Sequence, residues 1–260
     1  MPGSQFARNL IERRTLILQL VKRDFHQRYV ASSAGWLWGL IHPLVLLASY
    51  TFIFDVVMKS GQPHYPLVLF AGMLPWLLFA DTVQRSAGSL VEQANLITKT
   101  MFPSEIVPVA VFLSLLISHV LTVGLFAIVA GVILGHGNPM LVWLPAFVLF
   151  LGMFGIGLGW IAGALQVYLR DTAQIVTVVM TFWMWVTPIF LQEKQFPAKF
   201  QFVIRANPIA YVVRAYREMI LGQASPAVSD LGWIALFGTV TFVLGGLVFR
   251  YLKRGFADVL

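Results

Sequence analysis

The chain has 260 residues, 58% of them hydrophobic and 11% charged, with a mean hydropathy of +0.80. A soluble domain carries about 25% charged residues, so no single water-facing fold can hide this much apolar surface, and lipid is the solvent that remains. Cysteine is absent, which excludes a disulfide framework and thiolate metal sites; the formal charge of +7 fits the basic flanks of membrane segments better than a nucleic-acid footprint.

The first 28 residues mix charged and apolar side chains and lack the apolar core and small-residue cleavage site of a signal peptide. Residues 11–29 predict a helix lying on the membrane surface. Ile11, Leu18, Val21, Phe25 and Tyr29 fall on one face, and Glu12, Gln19, Arg23, His26 and Gln27 on another. A simple positively charged anchor is the alternative reading of the same stretch. Residues 32–35, Ser-Ser-Ala-Gly, break the helix before the first span.

About 20 apolar residues cross a hydrocarbon core as a helix. Six runs qualify, near 36–58, 65–83, 106–134, 141–168, 172–191 and 231–251. They are continuous rather than alternating, which excludes barrel strands, and helices satisfy their own backbone groups in lipid. The expected fold is an all-α integral membrane protein, one transmembrane domain over 1–260. Six spans place both ends on one side. If that side is the cytoplasm, twelve Lys and Arg lie inside and six outside, the bias expected for cytoplasmic termini.

Two segments between spans carry more than connection. Residues 89–105 are polar yet retain Leu90, Leu96, Ile97, Met101 and Phe102, apolar side chains that need a partner surface or the lipid interface. Pro103 ends any helix there, Ser104 is a candidate cap for the next one, and Glu105 sits at its positive end. Further on, Asn207-Pro208 reads as a helix start, with Ile209, Val212, Val213, Tyr216 and Ile220 on one face. Arg214, Arg217 and Glu218 take the other face, and Gly222 is the stop. This predicts an outer re-entrant or interfacial helix before the last span.

Chemistry-bearing clusters are scarce. None of the six lysines follows a glycine, so no phosphate-binding loop of the Gly-x-x-x-x-Gly-Lys-Ser/Thr type exists, and the chain is not expected to hydrolyse ATP itself. The five histidines show no metal-ligand spacing. His42 and His119 lie within spans, where they either bond a neighbouring helix or line a polar path. The glycines of 152–163 are expected to let helices approach closely. Trp36, Tyr50 and Phe54 share a face of span one with Pro43, and Phe182 and Trp185 lie in span five before Pro188. These aromatics either line a channel on which sugar rings stack or pack helix against helix.

The segment Leu20-Val-Lys-Arg-Asp-Phe-His-Gln-Arg-Tyr29, followed by Gly35-Trp-Leu-Trp-Gly-Leu-Ile-His-Pro43, resembles the opening of type-2 ABC exporter permeases. The resemblance is strongest to the polysaccharide-export branch that serves O-antigen, teichoic acid and capsule. Asn95-Leu-Ile-Thr-Lys-Thr-Met-Phe-Pro-Ser-Glu-Ile106 resembles its cytoplasmic coupling segment. Tyr168-Leu-Arg-Asp171, Thr187-Pro-Ile-Phe190 and Asn207-Pro-Ile-Ala-Tyr211 follow in the family's order, so the resemblance covers nearly the whole chain.

The resemblance implies a homodimer of six-span subunits in the bacterial inner membrane. It also implies a separate pair of ABC ATPase subunits that hold ATP and Mg, and a lipid-linked glycan carried outward. It assigns ATPase coupling to Asn95, Lys99, Phe102, Pro103 and Glu105. Arg13, Arg14, Lys22, Arg23 and Arg28 would meet the membrane surface or the carrier's pyrophosphate. Trp36, Tyr50, Phe54, Phe182 and Trp185 would line the channel, and Asn207, Pro208, Tyr211, Arg214 and Arg217 would form an outer gate. No catalytic or metal site is expected in the chain, nor a nucleic-acid partner. A drug or small-lipid exporter of the same superfamily, or an ion channel, is the competing reading.

Overall fold

The computed structural model describes residues 12–29, 38–57, 64–99, 102–190, 193, 196–222 and 224–259. These residues are helical with short connections, and none is a strand. In chain order the helices are α1 (Arg14–Tyr29), α2 (Trp38–Thr51, running on as a π-helical stretch Phe52–Val57), α3 (Tyr65–Glu92) and α4 (Ala94–Lys99). Then come α5 (Ile106–Leu134), α6 (Leu144–Tyr168), α7 (Thr172–Val186) and the short α8 (Gln201–Ala206). Last are α9 (Pro208–Leu221), α10 (Val228–Leu252) and α11 (Phe256–Val259). Trp36 and the break at 32–35 lie outside the described residues.

Four stretches are long and apolar enough to cross a membrane: Tyr65–Glu92, Ile106–Leu134, Pro139–Tyr168 and Val228–Gly255. Pro43–Phe54 and Thr172–Val186 are shorter apolar helices. The expected fifth span, 172–191, is thus too long by five residues. Thr187 turns extended (ψ 137°) and Pro188 follows, so the helix stops at Val186. Its 15 residues rise roughly 22 Å, less than a hydrocarbon core of about 30 Å. The second span errs the other way, because α3 continues past the expected end at Val83 to Glu92. Gln84, Arg85, Ser86 and Ser89 end the apolar run without ending the helix.

α3 lies at the centre, 83% of its apolar window buried, against α5, α6 and α9. The close approach of α6 rests on glycine, as its sequence predicts. Gly152, Gly155, Gly159 and Gly163 face Phe112, Thr82, Ser86 and the Ser86 carbonyl in turn. On another face a Cβ at Gly157 would strike the Thr241 carbonyl of α10, and one at Gly245 would strike Gly157. The outward faces of α5 and α10 leave Ile128, Val132 and Leu247 exposed, which suits lipid rather than water.

α1 forms, but its buried face differs from the expected one. Ile17, Leu20 and Val21 pack on Ile106 and Ala110 of α5, while Leu18 is 64% exposed. The apolar residues of α1 form a broad band rather than a narrow stripe, and its tertiary neighbour selects which edge is covered.

Candidate functional site

The polar extension of α3 creates a cavity at the end of the bundle that carries α1. Its walls come from α1, the last turns of α3, α4, and the first turns of α5 and α7, and it encloses about 760 Å³. Asp24 of α1 receives a hydrogen bond from Arg85 at 2.7 Å and another from Ser114 of α5 at 2.5 Å, so one carboxylate joins three helices. The second terminal nitrogen of Arg85, Nη1, is buried without a hydrogen-bond partner, as is Oε1 of Gln93. Of the predicted basic residues, Arg23 lines this cavity. Arg13, Arg14 and Lys22 are exposed on or beside α1, and Arg28 belongs to the same helix near its end.

The predicted coupling segment adjoins the cavity. Asn95 lies in the first turn of α4 and lines the cavity, and Lys99 is the last residue of α4. Phe102 packs against both the main core and the α1 cluster, with Pro103 buried beside it. Ser104 does not cap α5: its hydroxyl is buried without a partner, and Glu105 occupies the capping position with no side-chain cap bond. The Glu105 carboxylate, 3% exposed, instead takes a hydrogen bond from the Lys253 ammonium at 2.5 Å. The Glu105 carbonyl accepts from Trp160 Nε1 at 2.8 Å. Glu105 is therefore a buried tie between the coupling segment, α6 and the end of α10.

At the opposite end of α3, α9 follows its predicted pattern closely. The Asn207 side chain accepts from Ile209 N–H, Pro208 opens the helix, and Gly222 ends it at φ +69°. Ile209, Val212, Val213, Tyr216 and Ile220 are all buried. Asn207 also accepts from Trp183 Nε1 at 3.0 Å and donates to Thr187 Oγ1 at 3.0 Å, joining α9 to the end of α7. Tyr211 stacks on Trp233 and donates to the Arg205 carbonyl. Arg214 bridges Asp230 at 2.8 Å and Glu193 at 3.1 Å. Arg217 does not stay on the polar face: its guanidinium donates to the carbonyls of Val68, Pro188 and Ile189. His119 bonds the Tyr216 hydroxyl at 2.9 Å, the neighbouring-helix outcome for that residue.

Among the predicted aromatics, Phe182 and Trp185 are 71% and 63% exposed on α7, and Tyr50 and Phe54 are partly covered. Phe190, just after α7, gathers two of them. Its ring meets Tyr50 edge-on at 6.2 Å and stacks with Trp185 at 5.0 Å. Tyr65 packs on Phe54 at 5.0 Å and donates to the Phe190 carbonyl. Sequence reasoning treats Phe190 as part of a motif, and counts Arg85 and Lys253 only toward orientation. Asp24, an acid in a basic stretch, was the available sign of an internal pair.

A profile described as ABC-2 type transporter matches residues 15–221. The O-antigen export system permease protein RfbA of Myxococcus xanthus is 28% identical over 98% of each chain. RfbA of Klebsiella pneumoniae is 29% identical over 94% of this chain and 95% of its own. The polysialic acid transport protein KpsM of Escherichia coli is 24% identical over 89% of this chain and 91% of its own. With the profile spanning α1 to α9, the chain belongs to the ABC-2 type transporter family.

Proposed function

We propose that this chain is the permease subunit of an ATP-driven exporter that moves a lipid-linked polysaccharide of the O-antigen class across the bacterial inner membrane. The near full-length similarity to O-antigen export permeases carries the reading. In it, α3, α5, α6 and α10 are four of six spans, and the shorter apolar helices α2 and α7 complete the other two together with their flanking residues, with the chain ends cytoplasmic and α1 at the inner surface. Two copies pair, and α2 and α7 of each line the channel with Tyr50, Phe54, Phe182 and Trp185. Separate ATPase subunits press on Asn95, Lys99, Phe102 and Pro103.

The geometry supports a mechanical route. The coupling segment is tied to α6 by Trp160 and to α10 by Lys253, so a push on it reaches the central helices as a unit. At the other end, Asn207 and Arg217 join the end of α7 to α9, so motion of α7 is transmitted to the proposed outer gate. Nucleotide binding in the partners must supply the differential binding energy for this population shift. Arg13, Arg14, Lys22 and Arg28 attract the carrier's pyrophosphate at the inner leaflet.

Tagging the chain in its own host and identifying what copurifies tests the reading, together with surface-glycan staining of a strain that lacks it. An ABC ATPase in the complex and loss of surface glycan are expected. A strain that displays its glycan normally without this chain would overturn the assignment.

A further inference from the structure

We infer that the cavity at the α1 end is a sugar-binding site, which takes an uncharged stretch of the exported glycan rather than the phosphate of its carrier. The inference rests on the glycan-export reading above. The volume, about 760 Å³, falls within the roughly 300–1,000 Å³ of small-molecule sites. The lining is polar but electrically balanced: Arg23 and Arg85 are offset by Asp24 and Glu92, and the Arg85–Asp24 pair is already made. A multiply charged phosphate finds no excess positive charge there.

What the walls do offer is carboxamide groups, from Gln84, Gln93, Asn95 and Gln174. Each presents a donor and an acceptor side by side, which suits hydroxyls that both give and take hydrogen bonds. Arg85 and Gln93, both in this wall, each also hold a buried polar atom that makes no hydrogen bond. One face of α7 also runs on from the cavity. Gln174 and Thr177 line it from α7, and Thr181 and Trp185 continue the same face at four-residue intervals toward the Phe190 aromatics.

The test uses the full-length permease in lipid nanodiscs and two probes: phosphate-free oligosaccharide released from the host's own surface glycan, and inorganic pyrophosphate. Saturation-transfer NMR reads the sugar protons. The oligosaccharide is expected to bind, and Gln93→Leu and Gln174→Leu each to weaken it roughly fivefold, the loss of about one hydrogen bond. Pyrophosphate is expected not to displace it. Gln174 is exposed on α7, so that variant carries the test even if Gln93→Leu fails to fold. No binding by the unaltered permease, indifference to Gln174→Leu, or displacement by pyrophosphate would overturn the proposal. A strain that loses its surface glycan without this chain, while the permease binds no oligosaccharide, sinks this inference and leaves the export reading standing.

Discussion

Lys253 reaches back across 148 residues of sequence to the buried carboxylate of Glu105, 2.5 Å away. The pair joins the end of the last long helix to the start of α5, beside the segment that would meet an ATPase. Removing the ammonium takes a charged partner from a carboxylate that is 3% exposed. Lys253 itself is partly exposed, so the cost of Lys253→Met falls at the low end for breaking a buried pair, roughly 2–3 kcal/mol. Adding Glu105→Gln should recover part of the loss. Thermal unfolding of the purified single and double variants checks this, and additive losses would show that the pair is not coupled.

The contact between α6 and α10 depends on backbone meeting backbone. A methyl group at Gly157 would fall on the Thr241 carbonyl, which no rotamer change can relieve. Gly157→Ala is expected to cost roughly 3 kcal/mol, the upper range for overpacking, and to lower the yield of folded protein. Gly124→Ala is the contrast. Nothing lies within 4 Å of its added methyl, so the helix should be unchanged or stabilised by about 0.5 kcal/mol. Size-exclusion profiles and unfolding midpoints of the two variants should separate clearly.

Asn207 holds three groups with one side chain: Ile209 N–H, Trp183 Nε1 and Thr187 Oγ1. Asn207→Ala removes the cap and both ties to α7, and about 2 kcal/mol of stability should go with them. Asn207→Asp keeps an acceptor for Ile209 and Trp183 and loses only the donor to Thr187, so it should fall between. Midpoints in the order Asn, Asp, Ala are expected. An aspartate variant less stable than the alanine one would argue against the cap.

Arg217 donates to three main-chain carbonyls on two other segments. Arg217→Met leaves those acceptors without this donor, for a cost of roughly 3 kcal/mol. Arg217→Lys keeps the charge but cannot reproduce the planar fork, and should restore under half of it. If the arginine ties α7 to α9, both variants should also make the 196–222 region more open to limited proteolysis than the 144–168 helix. Equal protection of the two regions would count against that tie.

How legible these features were follows from the range of the chemistry behind them. The start, buried face and end of α9 are written in adjacent residues, Asn207-Pro208, the apolar spacing and Gly222, and all three appear in the structure. The glycines of α6 were equally readable, because small residues on a helix have one main use in lipid. The face of α1 was not, since Ile17 and Leu18 compete locally and only Ile106 decides between them. The length of α3 was missed because hydropathy marks where lipid ends, while packing that buries Ser86, Ala87, Ser89 and Leu90 carries the helix on to Glu92. The Glu105–Lys253 and Asp24–Arg85 pairs join residues far apart in sequence, and no local pattern reports them.

Phe102 is the place where coupling and packing can be told apart. Its ring sits between the main core and the cluster formed by Ile17, Leu20, Val21, Ile106 and Ala110. Because it is only partly buried, Phe102→Ala should cost about 1–2 kcal/mol, less than a fully enclosed phenylalanine. A loss of that size leaves the folded bundle in excess. A reduction of export far beyond the reduction in folded protein would therefore mark a transmission role. Export measured against the amount of folded permease in the membrane decides it, with ATP hydrolysis by the copurified complex as the second readout. Hydrolysis that continues while export falls several-fold is the expected pattern, because the motor would turn over without moving α1 and α5 together. Export that falls only in step with folded protein would reduce Phe102 to a packing residue.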